Sequence, residues 1–259
     1  MRVLELWRYP VKSLQGERVP ESEVGPRGLT GDRGWALFDL DTGFGLTARR
    51  AAELLHASAR LRPDGTPEIV LPGGAVARGD GDLSDWLGRR VGLRSADEVA
   101  GERRYESPTD AETEASWGVF SGSRGAFHDS GRAAVTLVST AVLDGRDPRR
   151  FRANVVLDGA EEDGVDEDRA GEDGLVGRSV RLGTAELRVV EPVARCVMVT
   201  RSQPGGLPVD REVLRRVHRE RGGVLSVGAV VARAGLVRVG DPLVPLGPLG
   251  PPDDADGDG

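Results

Sequence analysis

The sequence predicts a mainly β protein with a few helices: a β-barrel-like first half followed by a second strand-rich block. Three observations predict it. Segments that alternate apolar and polar residues recur along the chain, beginning with RVLELWRY at the N-terminus. The 37 glycines and 16 prolines punctuate these segments, which keeps the strands short and the turns frequent. A sustained helical period occurs clearly only in VDREVLRRVHRERG.

In order, RVLELWRY, GWALFDL and PEIVLP read as strands, and ARRAAELLHASARL holds a short helical pattern. DLSDWLGRRVG reads as a brief helix with Ser84 as its N-cap. Together, residues 1–100 make the barrel-like first domain. Residues 101–132 are rich in turn formers without a sustained period, and read as a connecting and site-forming loop. The second block, 133–246, opens with the buried-looking strand AAVTLVS, and Ser139 caps a short helix TAVLDG. RFRANVVLDG, SVRLGTAELRVVE, ARCVMVTR, GVLSVGAVVARAGLVRVGD and PLVPL supply further strands, which places Cys196 on a strand. The clear helix is capped by Asp210, buries Val213, Leu214 and Val217 on one face, and ends at Gly222.

Composition narrows the function. A chain of 259 residues that is 38% hydrophobic and 30% charged can bury a sizeable core. The net charge of −7 argues against a general nucleic-acid binder. No apolar run approaches the roughly 20 residues of a membrane span, and the N-terminus lacks the apolar stretch of a secretory signal. The single cysteine excludes an internal disulfide framework and suits a reducing compartment, so the expected location is cytoplasmic. Carboxylates crowd into Gly159–Gly174, read as a solvated loop, and into the end of 247–259, read as a disordered acidic tail.

The usual catalytic signatures are missing. His56, His128 and His218 show no metal-ligand spacing, and there is no phosphate loop, dinucleotide fingerprint or serine elbow. What remains is a scatter of polar groups beside turns: Lys12 and Ser13 in YPVKSL, Arg33 in GLTGDRGW, Thr47 and Arg49 in LTARR, Arg150, Arg152 and Asn154 in RFRANVV. Lysine, asparagine and cysteine each occur once, as Lys12, Asn154 and Cys196. Each cation alone is an ordinary surface group. Converging from strand ends, they make a pocket for a polar, phosphate-bearing ligand. In an extended segment, Arg152 and Asn154 point the same way. Cys196 by itself reads as a small core residue, as free cysteines commonly are.

The order YPVKS, GDRGWALFD, LTAR, DSGRAAVTLVS, RFRANVVLDG, VRLGTAELRVVEPVARCVMVT and VGD resembles the MOSC family, the molybdenum-cofactor sulfurase C-terminal domain, over roughly residues 1–244. The pairing of halves is similar to the mitochondrial amidoxime-reducing component and its bacterial relatives. The resemblance implies an N-terminal β-barrel domain, a MOSC β-barrel domain and a cofactor cleft between them. It also implies a molybdenum pyranopterin, with Cys196 as thiolate ligand to the metal. A soft thiolate suits molybdenum already held by dithiolene sulfur. Lys12, Ser13, Arg33, Arg152 and Asn154 would hold the phosphate and pterin, joined by Arg49 and Ser139. The implied activity is reduction of small N-hydroxylated compounds by oxygen-atom transfer. One cysteine cannot hold an iron–sulfur cluster, so the implied electron donor is separate, a ferredoxin or flavin reductase. Two other readings stay open: a carrier of molybdenum cofactor or persulfide sulfur without its own turnover, and a binding module whose thiol is structural.

Overall fold

The computed structural model describes residues 1–99, 101–159 and 171–249. The first third holds β1 (Val3–Arg8), β2 (Glu17–Val19), β3 (Glu21–Gly25), β4 (Gly28–Leu29), β5 (Trp35–Asp39), β6 (Ser58–Leu61), β7 (Pro67–Val70), helix α1 (Asp80–Leu87) and β8 (Val91–Ser95). Then come β9 (Arg104–Pro108), β10 (Trp117–Ser121), β11 (Val135–Ser139), α2 (Thr140–Leu143) and β12 (Val155–Leu157). β13 (Arg178–Leu182), β14 (Ala185–Ala194), α3 (Glu212–Arg221), β15 (Val224–Arg233), β16 (Gly235–Arg238) and β17 (Leu243–Pro248) complete it. The protein is mainly β, as expected. Among the described residues, no helix is long and apolar enough to cross a membrane.

The main sheet has eight strands in the order β17-β13-β14-β15-β11-β12-β1-β2. Its pairs are antiparallel except β11 with β12, whose crossover carries α2. β1 and β2 come from the N-terminus yet extend the sheet of the second block, and β3 pairs with β16. The first 30 residues are therefore shared between the two halves. Alternation explains this: Val3, Leu6, Val24 and Leu29 are buried in one cluster with Leu137, Leu157, Val180 and Val227. A second cluster gathers Leu14, Leu37, Leu54, Leu55, Leu83 and Val91, and takes in Met198 from the far end of the chain. A third packs Phe151, Val199, Val217 and Leu225 under α3. Met198 and Val199 anchor neighbouring residues in different clusters, which pins the segment around Cys196 at their junction.

Several sequence expectations need correction. The stretch 101–132 contains an antiparallel hairpin, β9 with β10, paired over five rungs from Pro108–Trp117 to Arg104–Ser121. α1 starts earlier than expected, at Asp80 behind Gly79. Ser84 lies inside it, donating to the Asp80 carbonyl at 2.6 Å and accepting from the Val91 N–H at 3.0 Å. Asp210 stands one residue before the α3 N-cap, Arg211, although its Oδ1 does accept from the Glu212 N–H at 3.0 Å. Residues 160–170 of the acidic loop lie outside the described residues, but Glu172 is fully buried and accepts from the Ser139 N–H at 2.9 Å. Gly247 and Pro248 pair with Ser179 and Arg178, so the tail begins later than 247; residues 250–259 lie outside the described residues. Ser139 caps α2 and Gly222 ends α3 in the left-handed conformation, both as expected.

The halves meet closely at Gly28, where φ is +93° and a Cβ would fall 2.2 Å from the Ala134 carbonyl oxygen. Gly43 has a similar φ of +72° with nothing near its missing side chain. Gly28→Ala should therefore destabilise the protein clearly more than Gly43→Ala, which carries only the conformational cost of about 1–3 kcal/mol. Chemical denaturation of the two variants checks this. Equal losses would show that the backbone approach at Gly28 relaxes freely.

Candidate functional site

Lys12, Ser13, Arg33, Arg49, Arg152 and Cys196 all line one cavity of about 140 Å³. Arg150, Arg195, His128 and Asp129 line it too. A wider groove of about 680 Å³ shares Arg49, Asp129, Arg195 and Cys196 and continues outward past Phe120, Pro192, Val193 and Ala194. Ser139 and Asn154 are not among the lining residues of either. Ser139 is committed to the α2 cap. Asn154 is fully buried one layer behind: its Oδ1 accepts from the Thr136 N–H and hydroxyl at 3.1 Å each, and its Nδ2 donates to the Trp7 carbonyl at 3.2 Å.

Strand ends and strained turns place the lining groups. Ser13, Arg33 and Arg152 have φ of 68°, 49° and 54°, a left-handed region that costs a side-chain-bearing residue about 1–3 kcal/mol. Arg152 is thus not extended, and the expectation that it would point with Asn154 along a strand fails. The two meet instead at Arg33, which donates to the Arg152 carbonyl at 3.1 Å and to Asn154 Oδ1 at 3.4 Å. Arg33 also pairs with buried Asp32. The guanidinium carbons of Arg33 and Arg152 lie 5.1 and 4.3 Å from the Tyr9 ring centroid. Arg152 further donates to the Leu14 carbonyl at 2.6 Å. Burial, the largest influence, brings its pKa down to about 10, so it stays cationic at neutral pH.

Arg195 and Cys196 follow the end of β14 rather than sitting within it. The last irregularity in the β14–β15 register falls between Pro192 and Ala194, so the strand bends just before the thiol. Arg195 donates to the carbonyls of Leu225 at 2.6 Å and Phe151 at 2.9 Å, and to the Ser226 hydroxyl. Arg150 clamps the chain beyond the thiol, donating to the carbonyls of Val199, Arg201 and Pro208 at 3.1, 3.0 and 2.8 Å. Arg150 spends its donors on backbone carbonyls and Arg195 on two carbonyls and the Ser226 hydroxyl, and together they fix the turn. Cys196 remains half-buried, and its side chain makes no capping bond to the short helix that follows.

The remaining cations are less committed. Lys12 donates to the Phe127 carbonyl at 2.9 Å and to Asp129 Oδ1 at 2.5 Å; Arg49 reaches Asp129 Oδ2 at 3.1 Å. Burial pulls the Lys12 ammonium below its ordinary value, and Asp129 works against that. The cavity walls around its inner face would raise the Asp129 carboxyl, although half of the side chain stays in contact with water; Lys12, Arg49 and Arg33 outweigh this and hold it well below the carboxylate range. Burial would likewise lower Arg49; the Asp129 carboxylate and the adjacent Cys196 sulfur overcome this and raise it. Arg49 Nη1 is buried without a partner. The hairpin supplies aromatic faces here: Tyr105 lies 5.0 Å from Lys12 Nζ, and Phe120 lies 5.2 Å from the Arg49 guanidinium.

The sequence reading missed Asp129, Arg195 and the hairpin. The hairpin did leave a signal: RYESP and WGVFS flank a cluster of turn formers, and both carry aromatic residues. Arg195 and Asp129 stood within quoted motifs, but nothing in their spacing said which cation each would touch.

Residues 1–94 match the MOSC N-terminal beta barrel domain, and residues 125–244 match the MOSC domain. The chain belongs to the MOSC family. This family is associated with molybdenum-cofactor binding. Among solved structures, YiiM from Geobacillus stearothermophilus is similar at 20% identity and a TM-score of 0.33, over 44% of this chain and 54% of its own. The match thus spans about half the length of YiiM. The YUAD protein from Bacillus subtilis is similar at 12% identity and a TM-score of 0.41, over 93% of each chain. No curated protein matches the chain.

His128 gives this MOSC site a testable pH signature. Burial, with Arg33 adding, lowers its pKa from 6.5 to about 4, and its Nε2 donates to the Arg27 carbonyl at 3.2 Å. The unfolded chain takes up a proton near 6.5 while the folded chain resists until about 4. Stability should therefore fall as pH drops through that window. In His128→Gln, the same stretch of the denaturation-midpoint profile should flatten. An unchanged profile would show that His128 is hydrated in both states.

Proposed function

We propose that this MOSC protein holds a molybdenum pyranopterin in its cavity, with Cys196 as the protein's ligand to the metal, and that it reduces small N-hydroxylated compounds by oxygen-atom transfer. One observation carries the reading. A half-buried thiol, beside Arg49, lies on a cavity lined by six cations (Lys12, Arg33, Arg49, Arg150, Arg152 and Arg195) and one carboxylate, Asp129. The unpartnered Arg49 Nη1 lies on the same wall. Such a wall fits an anionic ligand that carries a soft metal. Among the described residues, no group of three or more His, Cys, Asp or Glu could hold a metal ion. A metal that arrives with its own dithiolene sulfurs needs only one protein ligand.

When bound, the group supplies two-electron oxygen-atom-transfer chemistry. The protein's residues do the rest. Lys12, Arg49 and Arg152 meet phosphate and pterin oxygens with charge-assisted hydrogen bonds, with Ser13 beside them. In this assignment Asn154 acts indirectly, by holding Arg33, while Ser139 is spent on the α2 cap and takes no part in holding the group. The outer groove, with Phe120, Pro192, Val193 and Ala194 among its walls, leaves a small organic substrate room beside Cys196. That room favours turnover over a carrier role. The likeness to the amidoxime-reducing component supports the substrate class. Electrons come from a separate ferredoxin or flavin reductase, and a reducing cytoplasm suits the single thiol.

Two variants separate ligation from anchoring. Cys196→Ser replaces a soft ligand by a hard one, so it should keep part of its pterin and lose activity per bound molybdenum. Arg152→Ala should do the reverse. Losing a charge-assisted contact of roughly 1.5–3 kcal/mol weakens cofactor retention by about one to two decades, while activity per molybdenum persists. Pterin content and activity per molybdenum, measured for both, give the answer. Full activity per molybdenum in Cys196→Ser would return that residue to core packing.

A further inference from the structure

The carboxylate of Asp129 occupies the place where an incoming anion would meet the two least committed cations of the cavity. It accepts from Lys12 Nζ at 2.5 Å and from Arg49 Nη2 at 3.1 Å. The three partners differ sharply in exposure. The side chains of Lys12 and Arg49 are only 6% and 11% exposed, whereas that of Asp129 is 50% exposed. The cations cannot turn to water. The carboxylate can, with little loss of hydration. Arg49 Nη1, buried and unpartnered on the same guanidinium, is a vacant donor beside the one Asp129 holds.

We infer that Asp129 is a resident counterion: it neutralises Lys12 and Arg49 while the cavity is empty, and yields both to a phosphate-type anion, swinging outward into the groove that it also lines. Two buried cations facing each other without an anion would be costly, and Asp129 removes that cost in the apo protein. The same carboxylate then competes with the ligand. It weakens anion binding and opposes occupation by anions that cannot outbid it. This rests on reading the cavity as an anion site, not on molybdenum.

Lys12 is the only lysine in the chain, so protein labelled with ¹⁵N-lysine reports its ammonium as a single resonance. Apo protein is titrated with inorganic phosphate at fixed ionic strength, as wild type, Asp129→Asn and the control Asp97→Asn, whose carboxylate pairs with exposed Arg27 elsewhere. Phosphate should move the lysine resonance in all three proteins. The midpoint in Asp129→Asn should come at roughly tenfold lower phosphate, with the control unchanged. Phosphate should also raise the melting temperature of Asp129→Asn more than that of wild type. Asp129→Ser, which removes the charge with less bulk, is the second variant should the amide not fold. Equal or weaker phosphate binding in the Asp129 variants overturns the counterion role while leaving the anion site standing. An unmoved lysine resonance in every protein overturns both.

Discussion

The structure turns on a concentration of positive charge that the protein cannot neutralise from within. Six cations line the inner cavity against one lining carboxylate, and Arg152 and Arg195 are buried deeply enough to be pulled down to about 10. Buried charge without compensation is unfavourable, so each cation must either be paired or be held for something that arrives later. The solutions differ around the wall. Arg150 and Arg195 are tied to backbone carbonyls, with the Ser226 hydroxyl also taken by Arg195, and become scaffold. Arg33 leans on Asp32 and Asn154. Lys12 and Arg49 share a single exposed carboxylate and keep a donor to spare.

The fold serves this arrangement by bringing together segments far apart in sequence. β1 and β2 extend the sheet built by the second block, so the turn after β1 carries Lys12 and Ser13 to the cavity that the end of β14 reaches with Cys196. Three non-glycine residues in left-handed conformations sit on this wall, a strain that the surrounding hydrogen bonds sustain. Met198 and Val199 fasten the thiol segment to two different apolar clusters, which limits how far Cys196 can drift. The hairpin of β9 and β10 closes the outer side with aromatic faces against Lys12 and Arg49.

Much of this was legible from the residues. Period-two alternation predicted the mainly β fold, because half-buried strands must alternate. The rare Lys12 and Cys196, and the turn-borne Arg33, Arg49 and Arg152, do share one cavity. Asn154 was singled out for its rarity, but the structure uses it as a buried hub, since its amide can bind three chain segments at once. Ser139 carried a readable cap signal, and that is the bond it makes. Illegible were the partners: no local pattern tells that Asp129 will meet Lys12, or that Glu172 will be buried, because those contacts follow from long-range packing. Arg152 shows the same limit. Its conformation depends on Arg33 and Leu14, both far away in sequence.

The central claim is that this cavity holds a pterin-borne molybdenum through Cys196. The most direct measurement is molybdenum and pterin content of the full chain, made in a molybdenum-competent host and purified without oxygen. The account predicts molybdenum and pterin in equal amounts, approaching one of each per chain, with sulfur from Cys196 in the metal's X-ray absorption spectrum. A folded protein that carries neither molybdenum nor pterin would contradict it.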